Sequence, residues 1–324
     1  MSTYPNTARL TDIVQEAGLK RSGLVASCLF PEVEVPSCAF EWIDWKQTYA
    51  DLKLTDDTVG CYSQPHRIDP GSFVYLNGKT KEHALDMVLK ECCVSACTTN
   101  GRLPFNIDAK KTQQLVDRML LNREISAVAK ATQESAYTAG NNTNLLNGSE
   151  ASDGKIYTFA RATIFADTYD ILGLFQAIQN QAALGAHNTM VIDRVTMTAM
   201  LRHAKFKPGG CAVPVMAAED EIAALLGLDK VCIADSRYNT AAPGSPISLS
   251  RIWGSYIWLG KSYGLVTPDE ATRTFGFSAY TKDLTNRVYF DNTIGSDGGN
   301  VQVVSHDLTE VVADIQAATL IKLT

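Results

Sequence analysis

The chain has 324 residues, of which 45% are hydrophobic, 8% aromatic and 20% charged, with 22 glycines and 11 prolines, and this composition excludes disordered and collagen-like classes. Its 35 acidic side chains outnumber the 29 basic ones for a net charge of -6, and the only cation before Lys20 is Arg9, so a basic arm that captures nucleic acid is absent. No apolar run approaches the roughly 18 residues of a membrane span, and the first residues hold neither a basic nor an apolar leader segment, so a protein folded in cytoplasm is expected.

Leu10, Ile13, Val14 and Ala17 fall at i, i+3, i+4 and i+7 and Gly18 follows, which predicts a short amphipathic helix. The alternating stretch Leu29 to Pro36 carries Pro31 and Pro36, each lacking the N–H that a central strand needs, so an extended arm or sheet edge is expected. Cys38 to Trp45 reads as an aromatic strand. From Lys46 to Lys81 the chain is polar and turn-rich, and Asn77-Gly78 predicts a tight hairpin turn. An excursion this long is either functional or ordered by a partner. Leu85, Met87 and Leu89 then form one face of a second strand.

From Phe105 towards Glu134 the positions Leu115, Met119, Leu120, Ile125 and Val128 continue a helical pattern that Asn106 or Asp108 can cap. Such a helix is about 40 Å long, and its widely spread polar residues predict a rod lying along a surface. Ala139 to Ser149 reads as a polar loop. Beyond it helix and strand alternate. Ile171, Leu174, Phe175, Ile178 and Ala182 make a helix stripe, Thr189 to Ile192 a buried strand, and Val195 to His203 and Glu219 to Leu226 two further helices. Strands are expected at Lys230 to Ala234, Ile252 to Leu259, Thr274 to Tyr280, Val288 to Asn292, Val301 to Val304 and Thr319 to Leu323.

No catalytic constellation emerges. The string Gly254 to Ser262 ends in Gly-Lys-Ser but has five residues between its glycines, and Tyr256, Ile257, Trp258 and Leu259 have the character of a strand, not of a phosphate cradle. His66, His83, His187, His203 and His306 are dispersed without ligand spacing or a neighbouring nucleophile. Glu219, Asp220 and Glu221 suit the positive end of a helix dipole better than a metal. The eight cysteines lack paired CxxC spacing, and the Cys92, Cys93 and Cys97 cluster would need His83 or Cys61 to complete a metal site, so reduced structural thiols are expected. No catalytic residue, cofactor or metal is assigned.

The succession of segments resembles the major capsid protein of tailed bacteriophages, the Hong Kong 97 fold. The stretches that carry the resemblance are Leu29 to Pro36 leading into Phe40 to Trp45, Leu120 to Ala129 in the long helix, Asn188 to Asp193 with Met200 to His203, Ile252 to Gly254, and Thr274 to Phe277. The resemblance implies an α+β fold divided into an N-terminal arm (1–37), an extended loop hairpin (38–98), a peripheral domain (99–167) with a spine helix at about 105–137, an axial α/β domain (168–255) and return strands of the peripheral domain (256–324).

It also implies a structural protein, not an enzyme: copies assemble as hexamers and pentamers into an icosahedral shell around double-stranded DNA. Phe30, Trp42, Trp45, Arg67, Phe73 and Tyr75, on the arm and the hairpin, are the expected subunit-interface residues. Expected partners are further copies of itself, a separate scaffolding protein and a portal, with a decoration protein as an optional one and no membrane; the expected place is the virion, after assembly in the host cytoplasm. Arm-like sequence starts almost at Met1, so either a separate scaffolding protein serves or an extension has already been removed, and the initiator-like Met1 favours the first. The competing reading is a cytoplasmic α/β enzyme or a nucleotide- or ligand-binding protein with its site between His187 and Leu259.

Overall fold

The computed structural model describes residues 23–44, 75–90, 107–183, 185–203, 206, 219–242, 244–265, 267–268, 272–294 and 298–324. In chain order the main elements are α1 (Ala26–Leu29), β1 (Glu32–Glu34), β2 (Ala39–Ile43), β3 (Tyr75–Lys79), β4 (Lys81–Lys90), α2 (Ile107–Ala131), β5 (Thr138–Ala139), α3 (Asn142–Leu146), β6 (Lys155–Phe159) and α4 (Arg161–Ile164). There follow α5 (Ile171–Asn180), β7 (Thr189–Asp193), α6 (Arg194–Arg202), α7 (Glu219–Leu226), β8 (Lys230–Ala234), β9 (Arg237–Asn239), β10 (Leu249–Arg251), β11 (Tyr256–Gly260), β12 (Gly276–Asp291), β13 (Gly299–Val312) and β14 (Ala318–Leu323). The α+β class expected from the sequence holds.

A six-stranded mixed sheet, ordered β5-β6-β14-β11-β7-β8, forms the centre. All five residues of β7 are buried, as the apolar run Thr189 to Ile192 predicts for a strand covered on both faces. Period-two alternation divides its side chains. Met190, Ile192, Ile257, Leu259 and Ile321 pack with Leu174, Phe175 and Ile178 of α5 and Ile222 of α7. Val191, Trp258, Leu320 and Cys232 turn to the other face, against Val25, Leu29 and Phe30 of the arm root and Ala127, Val128 and Ala131 of α2. The sheet is therefore the middle layer of three.

β11 pairs with β14 on one side and β7 on the other, so the segment beyond residue 255 completes the sheet that β7 and β8 begin. A domain boundary between 255 and 256 thus cuts through one sheet, because hydrogen-bonded strands from both sides of it share one core.

The second sheet, ordered β1-β12-β13-β4, is built on a long antiparallel ribbon. The two short strands expected at Thr274–Tyr280 and Val288–Asn292 are one strand, β12, carried past irregularities between Tyr280 and Thr285. β1 lies parallel to β12 at the sheet edge, the place that its flanking prolines predict.

The long helix expected from Phe105 to Glu134 is described over Ile107–Ala131. Its spread of polar residues has a different cause from lying along one surface. Leu115, Val116 and Met119 pack on Val304, Leu85, Met87 and Leu284 of the second sheet, whereas Ala127, Val128 and Ala131 pack on the central sheet. Two apolar faces point to two sheets and leave no single stripe. The Tyr137 hydroxyl donates to the Ala131 carbonyl at 2.8 Å and satisfies one of the orphan acceptors at the helix end.

Three further expectations change. Asn77-Gly78 is not a turn: it lies inside β3, opposite Glu41 and Phe40, and a Cβ on Gly78 would stand 2.8 Å from the rings of Phe40 and Trp42. The missing side chain is needed for ring packing, not for a turn. Within the polar loop after residue 139, Asn141 caps α3, its side chain accepting from the N–H groups of Thr143 and Asn144. Cys28 and Cys232 are joined as a disulfide across 204 residues, whereas Cys38 is a free, exposed thiol. The expected helix at 8–18, the excursion core at 45–74 and the cluster Cys92, Cys93 and Cys97 lie outside the described residues.

Candidate assembly surfaces

The groups that could carry chemistry are tied into the fold. In the Gly-Lys-Ser string, Ile257, Trp258 and Leu259 are buried in β11, the Lys261 N–H donates to the Ala317 carbonyl at 2.9 Å, and the Ser262 N–H donates to Asn188 Oδ1 at 2.9 Å. The Ser262 hydroxyl donates to the Cys28 carbonyl. These donors are spent on holding strands and the arm root together.

His187 is buried with Nε2 3.0 Å from the Thr319 hydroxyl; burial, then the charges of Lys261 and Arg273, push its pKa down to about 3. His203 Nε2 lies 2.9 Å from the Ala166 carbonyl. His83 and His306 face each other across β4 and β13 with ring centroids 5.3 Å apart, beside a cleft of about 260 Å³ that Met119, Arg123 and Ser126 of α2 help to line. Burial, then His83 and Arg123, push His306 down to about 4. Among the described residues no group of three or more His, Cys, Asp or Glu is placed to hold a metal, and no described helix is long and apolar enough to cross a membrane.

The best-defined polar construction fixes the arm root. Glu124, buried on α2, accepts from the N–H of Val25 with both carboxylate oxygens and from the N–H of Ala26 at 2.8 Å, which caps α1 from a distant helix. The Ser236 hydroxyl donates to the same carboxylate at 3.2 Å. Burial raises the Glu124 pKa, and these donors oppose the rise. Further along, Ser278 donates its N–H to the Pro31 carbonyl and its hydroxyl to the Phe30 carbonyl, and Arg123 pairs with Glu32. An acid between Leu120 and Val128, four residues from each on an apolar helix face, is the sequence signal for this clamp.

Outside this frame, among the described residues, large apolar side chains are exposed in three places. The β9–β10 hairpin carries Tyr238, Ile247 and Leu249, with Ile247 78% exposed. On the ribbon, Tyr289 and Val88 are exposed on either side of the buried Val301, and the Arg287 guanidinium lies over the Tyr289 ring at 5.7 Å. The β2–β3 stem exposes Tyr75 and Leu76. Groups of exposed large side chains of this kind mark interaction surfaces in soluble proteins.

The interface residues expected from the sequence fall differently. Phe30 is wholly buried in its own chain, 5.5 Å from the Phe275 ring, and has no surface to offer a neighbour; the core claims it because the residues around it form the arm root. Trp42 is half-buried against Phe40 and Phe277, and Tyr75 is exposed. Trp45, Arg67 and Phe73 lie outside the described residues. The hairpin tip at Tyr238, Ile247 and Leu249 was missed; its signal is the alternation Ile247-Ser-Leu249 after Pro243-Gly244-Ser-Pro246.

No protein-family model matches the sequence. In structure the chain is similar to a phage-related protein from Bordetella bronchiseptica RB50, with a TM-score of 0.67 at 17% identity over 97% of this chain and 96% of that one. It is also similar to the capsid of the cyanophage P-SCSP1u, with a TM-score of 0.52 at 10% identity over 90% of this chain and 86% of that one. The fold is that of a phage capsid protein of the Hong Kong 97 type. In sequence the chain is 25% identical to the major capsid protein of Pseudomonas phage JBD67 over 313 residues, 95% of this chain and 94% of the relative. The resemblance read from the sequence holds along nearly the whole chain.

Proposed function

We propose that this chain is a major capsid protein, a structural subunit that associates with copies of itself into the shell of a phage virion. The observation that carries the reading is the end-to-end sequence match to a phage major capsid protein on a chain whose fold is a capsid fold. The engagement of the Gly-Lys-Ser string in β11 removes the feature that favoured a nucleotide-binding enzyme.

In finer terms, the subunits form hexamers and pentamers of an icosahedral shell around double-stranded DNA, assembled in the host cytoplasm with a scaffolding protein and a portal, and a decoration protein where the shell carries one. The arm (1–37) and the extended hairpin (38–98) reach neighbours, with Trp42 and Tyr75 at the hairpin stem and Trp45, Arg67 and Phe73 beyond it as contact residues. The long helix belongs to the peripheral part. The axial part uses 168–255 together with β11, β14 and β6, since those strands share its sheet. Burying the apolar hairpin, ribbon and stem surfaces contributes about 25 cal/mol per Å² before association costs. The net charge of -6 fits a shell that encloses DNA without condensing it.

The test is the size of the purified protein. Light scattering and negative-stain imaging should find shells or ring-shaped capsomers. A monomer or dimer at every concentration and ionic strength, with no shells on co-expression with scaffolding protein, overturns the proposal.

A further inference from the structure

The arm root is fastened to α2 and to the central sheet in two chemically different ways, and only one of them responds to redox conditions. The hydrogen-bonded fastening comprises the Glu124 carboxylate on Val25 and Ala26, the Ser262 hydroxyl on the Cys28 carbonyl, and the Asp235 N–H on the Gly23 carbonyl. The covalent fastening joins Cys28 of α1 to Cys232 of β8, whose Cα atoms stand 6.8 Å apart. β8 is the outermost strand of the central sheet, so this link ties the arm root to a sheet margin that has one strand neighbour.

We propose that the Cys28–Cys232 pair is a redox-operated lock on the arm root: open as two thiols while the subunit assembles, and closed as a disulfide once the particle meets an oxidising medium. The proposal rests on the capsid reading for its timing and on the arm-root geometry for its mechanism. Disulfides are rare where glutathione and thioredoxin keep thiols reduced and persist outside the cell. A subunit made in the first setting and carried into the second would pass from one state to the other without any enzyme. The hydrogen-bonded fastening seats the arm root in the reduced state, holding the two sulfur atoms together until an oxidant arrives.

The step balances with a small disulfide such as oxidised glutathione as oxidant. Cys28 is half-buried and Cys232 almost wholly buried, so Cys28 reacts first. It loses its proton, its thiolate attacks one sulfur of the oxidant, and one glutathione thiolate leaves. The Cys232 thiolate then attacks the Cys28 sulfur of the mixed disulfide and expels the second glutathione. Two protein thiols are oxidised, one small disulfide is reduced to two thiols, and the two protons pass to the departing thiolates. Hydrogen bonds open and close, whereas the covalent bond removes the open state of a 204-residue separation.

The test uses the full chain purified under reductant, then split between dithiothreitol and oxidised glutathione. Peptide mass mapping without reduction should find Cys28 and Cys232 alkylated in the first sample and linked in the second, with Cys38 as the unlinked control. Oxidation should raise the melting temperature by roughly 5–10 °C, and it should slow hydrogen exchange at Val25 and Ala26 at least tenfold. Cys232→Ser should abolish both changes. If that variant fails to fold, the reduced and oxidised wild type still give the comparison. Free thiols at both positions after oxidation overturn the lock, and so does a linked pair with unchanged melting and exchange. Mapping on the dissociated subunit separates the two readings: a bond that forms and stabilises a protein incapable of shell assembly leaves the lock standing and removes its capsid role.

Discussion

Glu124 and Val25, 99 positions apart, meet at 2.9 and 3.0 Å, with both carboxylate oxygens of the one accepting the backbone N–H of the other. Glu124→Ala should therefore destabilise the subunit by about 2–4 kcal/mol, because the N–H groups of Val25 and Ala26 stay buried without an acceptor. Glu124→Gln keeps one acceptor and should cost less. Urea denaturation of the dissociated subunit measures both, and equal stability of the alanine variant and wild type would show that the clamp contributes nothing.

The same carboxyl gives a pH signature of definite sign. Burial raises its folded-state pKa above the ordinary 4.5, so the folded state holds this proton more tightly than the unfolded chain. Its share of stability grows as pH falls through the folded value towards 4.5. Glu310 behaves oppositely. Burial works to raise its pKa, but the Lys130 ammonium at 2.8 Å and the Ser126 hydroxyl outweigh burial and hold it below the ordinary value. Its share is present above 4.5 and is lost as pH falls through the folded value. Lys130→Met, which removes a partner about one third exposed, should cost roughly 1–3 kcal/mol at pH 7 and less at pH 3, as read from denaturation midpoints.

His306 predicts an acid weakness at higher pH. Its folded pKa is pushed to about 4 while the unfolded value is near 6.5, so the unfolded chain takes up the proton first. The stability it supports is complete above 6.5 and is lost as pH falls from there to about 4. The groups around it are His83, Arg123, Glu310 and Asp307. His306→Gln should flatten the stability profile across that interval. An unchanged slope would assign the acid sensitivity elsewhere, with His187 as the next group to test.

Ile247→Asp and Leu249→Asp test the hairpin surface. Both side chains are exposed, so the subunit should keep its stability within about 0.5 kcal/mol. Shell or capsomer yield should fall by at least tenfold, as counted by negative stain. Normal yield would show that this tip faces solvent in the shell.

Gly276→Ala should unfold or severely weaken the subunit. A Cβ there would stand 2.4 Å from the Val311 carbonyl oxygen and 2.6 Å from the Phe30 ring, so strand pairing and the buried ring both must shift. Overpacking of this kind costs about 1–3 kcal/mol and more where backbone is involved. Thermal melting reads the result, and a shift under 1 °C would mean that the ribbon and arm root separate easily.

The sequence by itself determined the elements whose cause is local. Thr189 to Ile192 is apolar without interruption because both faces of its strand are covered, and Ile171, Leu174, Phe175 and Ile178 lie on one stripe because a helix repeats every 3.6 residues. The prolines placed Glu32–Glu34 at a sheet edge, and Tyr256 to Leu259 excluded a phosphate loop. The order of these segments also carried the resemblance to phage capsid proteins. Of the aromatic residues expected at a surface, Tyr75 is exposed, Trp42 is half-buried against Phe40 and Phe277, and Phe30 lies inside the core, while the exposed tip at Ile247 and Leu249 carries only a short alternation as its sequence signal. Only the tertiary structure decided that β11 and β14 complete the sheet of β7 and β8, that Gly78 receives two rings, that Glu124 caps a helix 99 residues away and that Cys28 meets Cys232. Periodicity reports which face of an element is buried but carries no term for what covers it; such partners are chosen by packing across the whole chain, where the free energy of a contact depends on geometry that no local window contains.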